Sequence, residues 1–76
     1  MPAKKSTANI ALGRAMRQLR RERGYNQESF ARRAGVDRSY YGAIERGEFN
    51  VGIDMIVKIA AGLGVKPSKL LLVAGL

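Results

Sequence analysis

The stretch from Asn26 to Gly47, NQESFARRAGVDRSYYGAIERG, decides the fold of this 76-residue chain. It holds two short helical patterns. In the first, about residues 27–34, Phe30, Ala31 and Ala34 form an apolar stripe, Asn26 is a fitting N-cap, and Gly35 suits the stop. In the second, about residues 38–46, Asp37 is the N-cap and Tyr41 and Ile44 face inward. Val36 precedes the cap, where it can staple onto Tyr41, and Gly47 ends the pattern. Only Gly35, Val36 and Asp37 separate the two. Such a turn reverses on its glycine and is anchored by its apolar residue. Ala31 is small at the point where the helices must cross closely.

Working outward, the same helical period recurs on both sides. Leu12, Met16 and Leu19 predict a helix over about 8–23, surrounded by Arg14, Arg17, Arg21 and Arg23 and closed by Gly24. Ile56, Ile59, Ala60 and Leu63 predict a helix over about 53–62. A short last helix starts with Pro67 at its first position and runs to about Val73. The expected fold class is therefore all-α, a compact five-helix bundle containing a helix-turn-helix. Residues 9–76 are expected to form one domain behind a basic arm, residues 1–8, that carries Lys4 and Lys5.

Composition narrows the function. The chain has no Cys, no His and no Trp. Thiolate and imidazole metal sites, disulfide scaffolds and hydrolases with a histidine base are excluded. The six carboxylates are scattered, and Gly62-Leu63-Gly64 is a helix end and not a phosphate loop. No enzyme, metal, cofactor or small-molecule ligand is expected. No signal peptide or apolar membrane span is visible, which predicts a cytoplasmic protein without membrane association. A chain this short buries only about 60% of its unfolded surface, so a second domain does not fit. The formal net charge is +8, and +7 of it lies in residues 1–46. A folded, basic, arginine-rich half points to a polyanionic partner.

At Gln27, Ala31, Gly35, Val36, Ile44 and Glu45 the chain resembles the Cro/repressor-type (XRE) helix-turn-helix family, over roughly Leu12 to Leu71. The resemblance implies a lambda-repressor-like domain that binds double-stranded DNA as a homodimer. The run from Val36 to Gly47, followed by Asn50, is similar to the controller proteins of restriction-modification systems. Residue roles follow from the matching positions. The helix from Arg38 resembles the recognition helix, with Arg38, Ser39, Tyr40 and the small Ala43 as base-contacting candidates. An arginine there can bond guanine O6 and N7 together. Its alternative is a solvated charge. Gln27, at a helix N-terminus rich in free N–H groups, resembles the family's phosphate clamp. Asn26, Arg46 and Asn50 match further backbone-touching positions, although Asn26 serves equally as a plain cap. Arg20 and Glu45 resemble a structural ion pair. Gly42 either lets the helix approach the groove floor or packs against another helix. Tyr41 stands where relatives often carry Ile or Leu, so its hydroxyl needs a partner or a route to the surface.

The end of the chain, Leu70 to Leu76, is apolar on all sides of a short helix. One face can pack inward. The other suits a twofold interface formed by Ile53, Met55, Val57, Leu72, Val73 and Leu76. Leu71 to Val73 serving as an ordinary buried plug is the alternative. The leading expectation is a sequence-specific transcription regulator, dimeric on a palindromic operator, of the controller type, for which the resemblance also implies contact with RNA polymerase. A phage-type or antitoxin-type repressor would use the same residues. A protein-binding adaptor on the same fold is the alternative from another class.

Overall fold

The computed structural model describes residues 6–76. Lys4 and Lys5, and with them most of the expected basic arm, lie outside the described residues. Five helices follow one another: α1 (Thr7–Glu22), α2 (Gln27–Ala34), α3 (Arg38–Glu45), α4 (Ile53–Leu63) and α5 (Pro67–Ala74). Every boundary falls within one residue of the spacing-based expectation. At the start, Ser6 accepts the Asn9 N–H at 3.1 Å and so caps α1. Thr7 and Ala8, assigned to the arm on sequence, are thus the first turn of that helix. None of the helices among the described residues is long and apolar enough to cross a membrane.

The caps explain why α2 and α3 stop and start where they do. Asn26 Oδ1 accepts the Ser29 N–H at 2.8 Å while Ser29 Oγ accepts the Asn26 N–H at 3.2 Å, a reciprocal box that seats the first turn of α2. Gly35 closes α2 in the left-handed region, φ 72°, and the Val36 N–H reaches back to Ala31 O at 2.9 Å. Asp37 then caps α3 through Oδ2 and the Tyr40 N–H, 3.0 Å apart.

Packing follows the apolar stripes. α1 lies against α3, α4 and α5, and α2 lies against α3 and α4. Met16, Phe30, Tyr41, Ile44, Ile59, Leu63 and Leu70 are the largest fully buried side chains, one or more from each helix. The Phe30 ring is the hub, 5.0 Å from the Tyr41 ring and 6.0 Å from that of Tyr25. Small residues set the close crossings. A Cβ at Gly62 would stand 3.1 Å from Phe30 Cζ, which brings α4 down onto α2. A Cβ at Gly13 would stand 2.7 Å from the Ile44 carbonyl oxygen, so the α1 backbone rests on the last turn of α3.

Candidate nucleic-acid interface

The first turn of α3 projects from the bundle. Arg38 and Ser39 are exposed. Asp37 turns its carboxylate back into the cap, and the first turn of α3 carries no acidic residue. Tyr40 is half-buried, its ring 5.1 Å from that of Phe49. The second turn is covered. Ala43, expected among the base-contacting residues, is only 6% exposed and drops out of that set. The end of α3 closes just beyond it, where the Glu48 N–H donates to Ala43 O at 3.0 Å.

Gly42 is buried, and the expected packing against another helix is met by Gln27 of α2. A Cβ there would meet Arg46 Nη1 at 3.3 Å and Gln27 Oε1 at 3.4 Å. Two polar side chains, Gln27 from α2 and Arg46 from the end of α3 itself, therefore pass over its bare backbone. Arg46 is exposed and gripped by Glu48, Nε to Oε2 at 2.6 Å and Nη2 to Oε1 at 3.3 Å. Asn26 is exposed at the α2 cap. Asn50 is exposed and its Oδ1 accepts from Asn9 Nδ2 at 2.7 Å. That bond uses Asn50's acceptor and leaves its amide nitrogen, a donor, as the atom suited to a phosphate oxygen. The loop is pinned to α1 a second time at Gly47, φ 78°, where a Cβ would strike Ile10 Cγ1 at 2.9 Å. Asn9, Ile10 and Glu48 are parts of this surface that sequence reasoning missed, because their contacts join segments distant along the chain or form in an irregular loop.

Beneath the surface lies a charged anchor. Arg20 Nε donates to Glu45 Oε2 at 2.7 Å and Nη2 to Oε1 at 3.1 Å, with the side chains 7% and 2% exposed. Arg20 Nη1 also donates to Tyr25 O at 2.8 Å, tying in the turn between α1 and α2. Gln27 Nε2 donates to Glu45 Oε1 at 2.9 Å. Burial pushes the Glu45 carboxyl up, but the bonds from Arg20, with help from Tyr41 and Gln27, outweigh it and hold the carboxyl below its ordinary range. Tyr41 is fully buried, and its hydroxyl beside this pair makes no hydrogen bond of ordinary geometry. Burial pushes that hydroxyl far above the usual phenol range.

Two open depressions flank this anchor. The larger, about 590 Å³, lies between α1 and the N-termini of α2 and α3, and Arg17, Arg21, Gln27 and Arg38 line it. The smaller, about 300 Å³, is lined by Arg14, Arg17 and Arg46 among others. Away from this basic face, Ile53, Val57, Leu72 and Leu76 are 65%, 48%, 70% and 59% exposed, with Met55 and Val73 half-buried beside the core.

A small all-α chain that presents a projecting two-turn helix, phosphate-suited donors and a basic face defines a DNA-binding helix-turn-helix domain. The helix-turn-helix family HTH_3 matches residues 16–70. The chain belongs to this family, in its XRE-type branch, and is similar to restriction-modification controller proteins. The control protein C.MunI of a Mycoplasma species is 44% identical over 62 residues, 80% of this chain and 84% of that one. A hypothetical transcription factor of Neisseria meningitidis serogroup B is 46% identical over 57 residues, 75% of this chain. The chain spans about half the length of that Neisseria relative, 54%. Among solved structures, the restriction-modification controller protein C.AhdI from Aeromonas hydrophila superposes with a TM-score of 0.82 at 38% identity, over 86% of this chain and 98% of that one. The controller protein C.Esp1396I, solved as a tetramer in complex with its natural 35 base-pair operator, gives 0.81 at 28% identity, over 91% of this chain and 95% of that one.

Proposed function

We propose that this protein is a sequence-specific transcription regulator of the restriction-modification controller type, acting in the cytoplasm as a homodimer on a palindromic operator. The carrying observation is the exposure of Arg38 and Ser39 at the N-terminus of α3, with Asn26 and Gln27 in the same depression as Arg38, Arg46 next to Gln27 over Gly42, and Asn50 in the loop that follows. In this arrangement α3 enters the major groove and Arg38 bonds a guanine edge. Ser39 and Tyr40 reach neighbouring bases, and the surrounding donors hold phosphates. Gln27 already gives one amide hydrogen to Glu45, and its second is the one offered to DNA.

Size and surface favour two copies. One chain measures 28 × 25 × 20 Å, less than one turn of duplex at about 34 Å. Burying Ile53, Val57, Leu72 and Leu76, with Met55 and Val73, against the same patch of a second copy would present two α3 helices to successive half-sites. The C.Esp1396I tetramer on its operator supports this by likeness. Regulation through contact with RNA polymerase belongs to the same proposal.

Selection of binding sites from a random duplex pool tests it. A twofold-symmetric consensus is the expected outcome. Arg38→Ala should lose about 1–3 kcal/mol of discrimination at one base pair per half-site, and Leu72→Lys should yield monomers in sedimentation that bind single half-sites weakly. A protein that enriches no sequence and shows no salt dependence would instead be an adaptor on the same fold.

A further inference from the structure

Three arginines of α1 stand outside the set derived above. Arg14, Arg17 and Arg21 recur at i, i+3 and i+7, which confines them to about 60° of the helix surface. All three are exposed, while Leu12, Ala15, Met16 and Leu19 bury the other side. Among the described residues none of the three enters an ion pair. A stripe of unpaired like charges repels itself, and its alignment calls for a polyanion.

Its position says which one. Gly13 seats α1 on the last turn of α3, so the stripe runs alongside the recognition unit. Arg17 lines both depressions. On one side it shares a wall with Gln27 and Arg38, on the other with Arg46. The carboxylates in those walls are already engaged, Glu45 by Arg20 and Glu28 by Arg32 at 3.7 Å. The positive surface is therefore continuous from the base-reading residues to the outer face of α1.

We propose that Arg14, Arg17 and Arg21 form a phosphate rail that grips the DNA backbone beyond the half-site read by α3. The rail rests on the regulator proposal and extends it. It adds affinity without base preference and lengthens the footprint of each copy.

The test is a salt series of equilibrium binding to a selected operator and to a random-sequence duplex. It uses the unaltered chain, R14Q/R17Q/R21Q, and K58Q/K66Q/K69Q, which removes the same number of charges from α4, α5 and the turn between them. The rail variant should lower the slope of log K against log salt by about two to three, near 0.9 per lost phosphate contact. It should weaken both duplexes by the same factor, so the ratio between them holds. Arg17→Gln alone should lower the slope by about one. An unchanged slope in the rail variant, or an equal fall in the lysine variant, would overturn the proposal, the latter by assigning the effect to net charge alone. No salt-dependent affinity in the unaltered chain would reject the regulator proposal and the rail with it.

Discussion

The guanidinium of Arg20 and the carboxylate of Glu45 meet in a two-bond fork, 2.7 and 3.1 Å, inside a domain with no other buried ion pair among its described residues. The fork joins α1 to the end of α3, and through Tyr25 O and Gln27 it reaches both ends of the turn that starts α2. α1, the turn before α2, the start of α2 and the end of α3 are thus tied to one charged contact. Removing one partner strands the other charge in the interior. Glu45→Gln is expected to cost about 3 kcal/mol, which lowers the melting temperature by roughly 12 °C or more for a domain of this size. A loss under a few degrees would show that water reaches Arg20.

The same carboxyl sets the acid limit. Its pKa is held below the ordinary carboxylate range in the folded state. The contribution to stability is therefore complete above the unfolded-state pKa and is lost as pH falls through the folded one. Thermal melting across pH should be level near neutrality and fall only on the acid side of the usual carboxylate range. Glu45→Gln should flatten that acid fall.

Gly13→Ala separates helix propensity from packing. In a free helix the change gains about 1 kcal/mol. Here the added methyl would press on the Ile44 and Glu45 carbonyls, which are backbone and cannot turn aside. We expect destabilisation by about 1–3 kcal/mol with weaker binding to DNA, as α1 and α3 are forced apart. A stabilised variant would contradict the close crossing.

Tyr41→Phe removes a buried hydroxyl that lacks a well-formed partner. Stability should hold within about 0.5 kcal/mol or rise, because an unsatisfied polar atom is costly to bury. A chemical-denaturation loss beyond about 1 kcal/mol would establish a true bond from Tyr41 to Glu45 or Arg20.

Glu48 sets both carboxylate oxygens on Nε and Nη2 of Arg46. Under the phosphate role proposed for Arg46, that carboxylate competes with DNA for the guanidinium. Glu48→Gln should tighten binding to any duplex by roughly two- to fivefold, the size of an exposed ion pair, and the gain should shrink with added salt. In an Arg46→Ala background the gain should vanish. Persistence of the gain there would assign it to the lost negative charge alone.

Much of this surface was legible before any coordinates. Gly35 with Val36, the Asn26 and Asp37 caps and the stripe Phe30, Ala31, Ala34 place α2 and α3 within a residue, because capping and period are local chemistry. The exposure of Arg38 and Ser39 follows from their place in the first turn. Ala43 shows where such reasoning ends. A small residue one turn beyond the exposed Ser39 looks accessible, yet the folded domain leaves it only 6% exposed. Gly42 is similar in part: Arg46 lies over it by the ordinary i, i+4 spacing of α3, but Gln27 arrives from α2 and no spacing rule brings it there.

The chain's own letters thus determined the five helices, their ends, the basic character of the first half and the apolar end, since each depends on neighbours within a few residues. The bundle alone decided which arginines share a surface. Arg17 adjoins both Gln27 and Arg46 only because Gly13 lets α1 settle on α3, and that approach is set by close packing between segments some thirty residues apart.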